Sequence, residues 1–323
     1  MLISKTPYRI PLAGGGSDLP FYYKNKGGEF ISCSINQHVY VFLVNRKIHR
    51  NNLIQTTDVE FTKKIKQIKN KIIKGALNYF NIKNYIHVGT FSTLPTKTGL
   101  GSSSSIMVGL INLLHKYKKI KTNKRLLYEK SYKIEREILK LSGGHQDQIM
   151  ASFGSIQKVN INKKGYAKIS EIKISNHIKK KLEDKLLLVF TSETRSSEKI
   201  IKKQEKVPQK KIIESYDKIK NLVPITEKAI KEGNFKELAK IFNAHWHIKK
   251  NISNFMSNTK LNRLYSRLMK NKFFIGGKNI GAGAGGFFLM VTHNKLKAVN
   301  YLKKNNIEYL EFKIHNKGSE IIE

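Results

Sequence analysis

Apolar positions along the chain follow two patterns, and the first of them is typical of β-strands. In these segments apolar residues alternate with polar ones or form short unbroken runs, and valine, isoleucine and aromatic residues are frequent. Alternation places one face of a strand in a core, whereas a short unbroken run indicates a strand buried on both faces. Strands are predicted at residues 2–12, 30–45, 85–92, 156–174 (a hairpin), 186–190, 287–291 and 308–314.

The second pattern is helical, with apolar residues recurring every three or four positions. Ile106, Leu110 and Leu114 follow it directly after a serine run, and Leu127 and Ile134 follow it farther along. Helices are predicted at residues 62–80, 106–117, about 123–141, most of 197–269, and 295–304. Because strands and helices are mixed in both halves, the pattern predicts an α+β or α/β protein.

Length and composition agree with two packed domains. The chain has 323 residues, 40% of them apolar, and domains commonly hold about 100–200 residues. The composition changes near residues 175–185, so we predict an N-terminal domain of residues 1–180 and a C-terminal domain of residues 181–323.

No apolar run approaches the roughly 18 residues of a membrane span. The first residues do not resemble a signal peptide. Cys33 is the only cysteine, so no intramolecular disulfide can form. A cytoplasmic protein without a membrane partner is expected; the oligomeric state stays open, a homodimer included.

The net charge of +38 raises the question of a nucleic-acid partner. Only eight of the 61 basic residues are arginine, the residue that best grips phosphates and reads bases. The lysines are also spread along the whole chain, which is more typical of solvated faces. We therefore expect no nucleic-acid partner, although a basic nucleic-acid-binding protein is kept as the alternative from another class. The charge could still attract small anionic substrates.

A serine-rich segment after two glycines is the strongest chemical motif. The two glycines allow close approach to a ligand, and the first amides of the following helix are unpaired donors at the positive end of its dipole. A simple helix cap would need one serine, whereas four favour a phosphate-binding loop. The candidate residues for binding a nucleotide are Pro95, Gly99, Leu100, Gly101, Ser102, Ser103, Ser104 and Ser105.

Two further segments place a charged residue beside a glycine turn. Residues 7–18 predict a strand and a tight turn that present Arg9 and Asp18 to a polar ligand. Residues 143–148 place Asp147 just after a helix, where its carboxylate could accept a proton from a hydroxyl group. The alternatives are an ordinary β-turn for the first segment and a helix-capping aspartate for the second.

A third glycine-rich segment, residues 276–287, formally contains the G-x-G-x-x-G spacing of dinucleotide-binding folds. That fold requires a helix directly after the glycines. The residues that follow, 287–291, have a strand pattern instead, so a dinucleotide-binding fold is rejected.

Taken in their order along the chain, these four segments resemble the motifs of the GHMP kinase superfamily. The resemblance extends over nearly the whole chain. The resemblance implies a two-domain α+β fold: a ribosomal protein S5 domain 2-like α/β domain followed by a ferredoxin-like α+β domain, with the active site between them. It implies a kinase that uses ATP and Mg²⁺, with Ser103 and Glu135 holding the metal and Glu137 as the rival of Glu135. Asp147 and Arg9 are the implied catalytic residues.

Within the superfamily, the chain is most similar to bacterial D-glycero-D-manno-heptose 7-phosphate kinases. This similarity implies transfer of a phosphate to the anomeric hydroxyl of a seven-carbon sugar phosphate, which gives a 1,7-bisphosphate. The product would be used to make nucleotide-activated heptose for capsule or other surface polysaccharide. The implied substrate-binding residues are Gly15, Gly16, Ser17, Asp18, Gly144, Arg195 and Gly283. Arg195 is the first candidate to bind the substrate's own phosphate, with Arg9 and Lys249 as lesser ones. A kinase of a free sugar, of the fucose or galactose type, stays open; a mevalonate-pathway enzyme or a non-catalytic module is less favoured.

Overall fold

The computed structural model describes residues 1–96, 98–194 and 197–322. Its strands form two sheets, and most lie where the alternating or unbroken apolar pattern predicts them. In chain order they are β1 (Leu2–Ala13), β2 (Gly28–Asn45), β3 (Asn52–Gln55), β4 (Val59–Thr62), β5 (Ile86–Ser92), β6 (Ile156–Ile161), β7 (Ala167–Glu171), β8 (Leu186–Phe190), β9 (Phe274–Asn279), β10 (Phe287–Thr292), β11 (Tyr309–Leu310) and β12 (Glu320–Ile322).

Helices cover the sheets and connect their strands. In chain order they are α1 (Pro20–Lys26), α2 (Lys71–Tyr79), α3 (Ser102–Tyr117), α4 (Lys124–Tyr132), α5 (Gln146–Phe153), α6 (Asn176–Lys185), α7 (Ser197–Gln204), α8 (Gln209–Lys220), α9 (Leu222–Glu232), α10 (Phe235–Lys250), α11 (Thr259–Met269) and α12 (Lys295–Lys304). Short 3₁₀ turns lie at Ile65–Gln67 and Asn254–Met256, and a π-helical segment, Lys133–Ile138, continues α4. The mixed α+β fold predicted from the sequence is confirmed.

The larger sheet is built around the long antiparallel pair β1 and β2. Its strand order is β12-β1-β2-β5-β3-β4, and β6 also pairs with β2 and carries β7. The register between β1 and β2 shifts after Pro7 and after Pro11, where proline lacks the amide hydrogen that a regular ladder needs. Apolar residues of β1, β2 and α3 fill the space between this sheet and its helices.

The smaller sheet is antiparallel, with the order β11-β8-β10-β9. The unbroken apolar runs at residues 186–190 and 287–291 form its central strands β8 and β10. Both strands are buried, as the runs predict. The chain order of the strands across the sheet is fourth, first, third, second, the arrangement of a ferredoxin-like unit. One continuous apolar cluster includes residues of both sheets. The boundary at residue 180 stays a prediction, and α6 runs across it.

Two predicted elements are wrong in part. Residues 62–80 do not form one helix: strand β4 and a 3₁₀ turn come first, and α2 begins only after Asn70, whose side chain accepts a hydrogen bond from the Ile73 amide. The predicted strand at residues 308–314 is reduced to β11 and one bridge between Ile35 and Ile314. The chain then returns to the larger sheet as β12, beside the start of β1.

Candidate active site

A cleft of about 470 Å³ lies where residues of both sheets meet. One wall carries Arg9, Asp18, the glycine–serine loop before α3 and the residues that lead into α5. The other wall carries side chains of α7, α8 and α10 and the end of β9. All four segments singled out in the sequence therefore meet at one place.

The glycine–serine loop ends at the N-terminus of α3. Gly101 precedes the helix with φ of 86°, a left-handed conformation that favours glycine. Ser102, Ser103 and Ser104 line the cleft, and the first amides of α3 have no partner within the helix. Ser105 is turned away: its hydroxyl is buried and donates to the Pro7 carbonyl at 3.0 Å. The loop thus offers the cleft amides and hydroxyls that suit a phosphate group.

Arg9 and Asp147 form a close ion pair at the centre of the cleft. Arg9 Nε donates to Asp147 Oδ1 at 2.7 Å, and its Nη2 lies 2.5 Å from the same oxygen. Arg9 Nη1 also donates to the Gly99 carbonyl at 2.6 Å, which ties the pair to the serine loop. Asp147 lies in the first turn of α5, where the helix dipole stabilises a negative charge. Its side chain keeps 28% of its surface exposed, so a substrate can reach the carboxylate.

Asp18 holds two loops together beneath the ion pair. Its carboxylate accepts hydrogen bonds from the Gly16 amide at 3.2 Å and from the Gln146 amide at 3.0 Å. Burial raises the pKa of Asp18, and the nearby charge of Asp147 acts in the same direction. Gly144 packs directly on Asp18, since an added Cβ would lie 2.1 Å from its Oδ2. Asp18 and Gly144 therefore shape the floor of the cleft.

Glu135 enters the cleft from the π-helical segment after α4. The wider turn places its carboxylate in the interior, and π segments often occur at functional sites. Ser104 Oγ donates to Glu135 Oε2 at 2.8 Å, and Gln148 Nε2 donates to the same oxygen. Burial raises the pKa of Glu135, opposed by the nearby charge of Arg136. Glu137, the rival candidate, is exposed on the other side of the segment.

Several predicted site residues do not face the cleft, and these expectations are corrected. Ser17 is buried, and its hydroxyl donates to the carbonyls of Gly14 and Glu29. Leu100 is buried, and Ser105 is bonded as described above; neither they nor Pro95 line the cleft. Gly283 packs against Met256. Arg195 lies outside the described residues.

The expectation that Ser103 and Glu135 hold one metal ion stays a prediction. Ser104, not Ser103, contacts the glutamate; Ser103 is exposed at the rim of the cleft. The remaining predicted residues, Arg9, Gly15, Gly16, Asp18, Gly99, Gly101, Ser102, Ser103, Ser104, Glu135, Gly144 and Asp147, all line the cleft.

Cleft residues that were not assigned to the site from the sequence include Gln204, Tyr216 and Lys278, and Gln148 lies buried beside the cleft. Gln148 bonds Glu135, and Gln204 joins the Tyr216 hydroxyl to the Ala282 carbonyl. Lys278 stands between two glycines and an asparagine, with no charge pattern that marks it. Such residues join the cleft only through long-range packing.

Comparisons with known proteins identify the relationship. Residues 65–155 match the GHMP kinases N terminal domain. Over 332 aligned residues the chain is 29% identical to D-glycero-alpha-D-manno-heptose 7-phosphate kinase of Campylobacter jejuni, covering 98% of this chain and 97% of the relative. The chain is thus similar to GHMP kinases, to their N-terminal domain within residues 65–155 and to the heptose kinase along nearly its whole length. The relationship supports a kinase with ATP as its phosphate donor.

More distant GHMP kinases agree with this assignment. Mevalonate kinase of Methanocaldococcus jannaschii is 28% identical, with 73% of this chain and 71% of that one covered. The crystal structure of a D-glycero-D-manno-heptose 1-phosphate kinase from Bacteroides thetaiotaomicron superimposes with a TM-score of 0.82 at 22% identity, covering 100% of this chain and 99% of the other. The predicted GHMP kinase fold is thereby confirmed.

Two features of the described residues bear on possible partners. No helix among them is long and apolar enough to cross a bilayer. No group of three or more histidine, cysteine, aspartate or glutamate side chains suited to a metal occurs in the same ranges. A magnesium ion that shares its ligands with nucleotide phosphates and water needs fewer protein oxygens than such a group supplies.

Proposed function

We propose that the protein transfers the γ-phosphate of ATP to the anomeric C1 hydroxyl of D-glycero-D-manno-heptose 7-phosphate. The product would be the 1,7-bisphosphate, a precursor of nucleotide-activated heptose for surface polysaccharide. The observation that carries the proposal is the Arg9–Asp147 pair beside the N-terminus of α3 in one cleft. The similarity to a heptose 7-phosphate kinase along 98% of the chain supports this acceptor.

Asp147 is the group that receives the proton of the acceptor hydroxyl. Its carboxylate is accessible, and Arg9 holds the carboxylate in a fixed position. Arg9 is itself anchored by its hydrogen bond to the Gly99 carbonyl. The hydroxyl oxygen, oriented by the carboxylate, attacks the terminal phosphorus in line while the bond to the ADP oxygen breaks. The amides and hydroxyls at the start of α3 hold the phosphates of the donor. Positioning and charge neutralisation then supply most of the rate enhancement.

The residues around Glu135 fit a magnesium ion. The carboxylate of Glu135 and the hydroxyls of Ser103 and Ser104 line the same cleft, and oxygen donors are the ligands that Mg²⁺ prefers. Burial raises the pKa of Glu135, a cost that a bound cation would remove. We propose Glu135 with Ser104 or Ser103 as the protein ligands. When bound, the ion would neutralise charge on the transferred phosphate.

A coupled assay of ADP release tests the proposed reaction. With ATP and Mg²⁺ present, the acceptors to compare are D-glycero-D-manno-heptose 7-phosphate, D-mannose, L-fucose and D-galactose. We expect a strong preference for the heptose phosphate, and ³¹P NMR of the product should show a new anomeric phosphate beside the original one. Turnover with a free sugar alone would contradict the acceptor, and turnover with none would contradict the sugar kinase.

A further inference from the structure

One side of the larger sheet packs against α3, and the opposite side carries exposed apolar residues. Gly109 of α3 lies close to the buried Val41 of β2, since a Cβ on Gly109 would stand 3.3 Å from the valine side chain. Successive side chains of a strand point to opposite sides of a sheet. Tyr40 and Phe42, the neighbours of Val41, therefore point away from α3, and both keep part of their surface exposed.

Strand pairing continues this outer side of the sheet across β5, β3 and β4. Tyr40 lies opposite Phe91 of β5. Gly89, two residues before Phe91, lies opposite Gln55 of β3, and Gln55 in turn lies opposite Val59 of β4. Residues that are directly opposite each other point to the same side of a sheet. The exposed or half-buried apolar residues of this side, here called the apolar face, are Tyr40, Phe42, Leu53, Val59, Phe61 and Phe91.

Three large side chains of the apolar face are more than half exposed. Phe91 is 65% exposed, Phe61 is 64% exposed and Val59 is 59% exposed. The centre of the Phe91 ring lies 6.2 Å from that of Tyr40, so the rings form one surface. Strand β4, which carries Phe61 and Val59, is the last strand at this end of the sheet order. Large apolar side chains that are exposed together mark a contact surface.

The apolar face is almost free of the positive charge that dominates the rest of the chain. The chain has 61 lysine and arginine residues against 23 aspartate and glutamate residues. Residues 2–6 and 39–45, together with β3, β4, β5 and β12, are all described, and Lys5 is the one lysine or arginine among them. Lys5 lies opposite Glu320 of β12. A nucleic acid, an anionic membrane or an acidic protein would bind where the lysines are. Two molecules of charge +38 can approach closely only where few cations meet, because like charges that face each other cost free energy.

We propose that the apolar face is the interface of a homodimer, in which each molecule covers the same face of the other. A two-fold axis produces such a contact between identical surfaces. Sheets that pack face to face lie about 10 Å apart with interdigitated side chains, so Val59, Phe61 and Phe91 leave water in both molecules at once. Four strands at a spacing of about 4.8 Å make a surface only about 15–20 Å wide. A contact of this size suits a weak dimer, with an expected dissociation constant of about 1–100 μM.

Sedimentation velocity of the full chain tests the dimer directly. The wild-type protein should change from monomer to dimer across the micromolar range. The dimer should be tighter at high salt than at low salt, because salt screens the repulsion between two positive molecules and leaves the apolar contact intact. Phe91→Lys and Phe61→Lys bring like charges into the interface, so each should raise the dissociation constant by about 10-fold or more. Leu296→Lys is the matched control: Leu296 is 70% exposed on α12, outside the apolar face, and its replacement should leave the dissociation constant unchanged.

Three results of these experiments would overturn the proposal. The first is a wild-type chain that stays monomeric at every protein and salt concentration. The second is a dimer that persists unchanged in both Phe91→Lys and Phe61→Lys, with thermal unfolding verifying that each variant is folded. The third is a monomer that sediments with phosphatidylserine vesicles, which would assign the apolar face to a membrane surface instead.

A distance measurement locates the interface without changing the apolar face. Asn45, the exposed last residue of β2, is replaced by cysteine and carries a spin label, while the buried Cys33 is shielded from the reagent. Tyr166→Cys carries the comparison label, because the exposed Tyr166 lies beside β7, which β6 joins to the opposite end of β2. Pulsed electron paramagnetic resonance should give a shorter distance between two labels at residue 45 than between two labels at residue 166. A dimer with the reverse order would overturn the proposed interface.

Discussion

At the scale of single residues, the pairing of Arg9 with Asp147 decides what the carboxylate can do. Arg9 contacts one oxygen, Oδ1, through two of its nitrogens, so the guanidinium fixes the carboxylate from one side. The other oxygen, Oδ2, lies near the space in which a Cβ on Gly101 would stand. A carboxylate held in this way can orient a hydroxyl and take its proton, and the absence of a Cβ at residue 101 leaves room for the substrate.

Asp147→Asn tests this role. The amide keeps the shape of the side chain but cannot take a proton, so we expect kcat to fall by about 10²- to 10⁴-fold. The KM for ATP should change little, because the donor is held by the start of α3. Steady-state kinetics measures both values. The exposed Asp58→Asn is the matched control, and a kcat for Asp147→Asn equal to that of the control would contradict the assignment.

The buried, ionised carboxylate of Glu135 lowers the stability of the folded protein. Burial raises its pKa, so the folded protein binds a proton at this site more readily than the unfolded chain does. The ionised form therefore reduces the free energy of unfolding, and this reduction disappears as the pH falls through the raised pKa. A metal ion would compensate the charge in the working enzyme. Without one, the carboxylate is expected to reduce stability at neutral pH.

Glu135→Gln should therefore abolish most activity while raising the free energy of unfolding at pH 7.5, by about 1 kcal/mol, or roughly 2 °C in Tm. The gain should shrink as the pH is lowered, since the wild-type carboxyl becomes protonated as the pH falls through its raised pKa. Thermal unfolding without Mg²⁺ across this pH range measures the difference. Glu137→Gln, an exposed residue of the same segment, should leave both properties unchanged. Activity loss in Glu137→Gln alone would reverse the choice of metal ligand.

At the scale of elements, the turn that leads into α5 depends on close packing between two loops. Asp18 accepts the Gln146 amide while Gly144 lies against the Asp18 side chain and backbone. Any side chain at residue 144 would push this carboxylate away. The position of Asp147, one residue beyond Gln146, would move with it.

Gly144→Ala should lower the free energy of unfolding by about 1–3 kcal/mol, the usual cost of overpacking. It should also lower kcat, because α5 begins at this turn. Gly15→Ala is the matched control for stability, since its added Cβ would meet only Pro11 at 3.8 Å. Urea unfolding compares the two variants. Equal stability would show that the loop adjusts without strain.

Local patterns predicted the elements that local interactions determine. Helix α12 was predicted at the observed residues, and Asn294 caps it through the Lys297 amide. The serine loop and the strand after the third glycine segment are also confirmed. The π-helical segment was not predicted, because Ile134 and Ile138 fit an ordinary helix equally well. The hydrogen bonds that Glu135 accepts from Ser104 and Gln148 come from residues 31 and 13 positions away, which no local pattern includes.

At the scale of the whole molecule, the cleft depends on contacts between distant parts of the chain. Lys278 reaches the Leu12 carbonyl across 266 positions, and β12 returns from the end of the chain to the edge of β1. No local pattern contains this information. The motifs therefore predicted the side of the cleft that surrounds Asp147, whereas the position of Lys278 on the other side was visible only in the fold.

The net charge of +38 has a consequence for the rate of substrate capture. A positive field attracts an anionic substrate over a distance set by the Debye length, which is about 30 Å at 0.01 M salt and about 8 Å at 0.15 M. The kcat/KM for heptose 7-phosphate should therefore fall roughly 10-fold between these concentrations.

Potassium chloride titrations at fixed Mg²⁺ and saturating ATP measure this dependence. The limiting kcat should stay constant, because salt screens the approach of the substrate and not the bonds inside the cleft. The free heptose is the reference substrate: it carries no charge, so its kcat/KM, however low, should not follow salt. A flat profile for both substrates would mean that the basic surface does not guide binding. An equal decline for both would point to a salt effect on the protein itself.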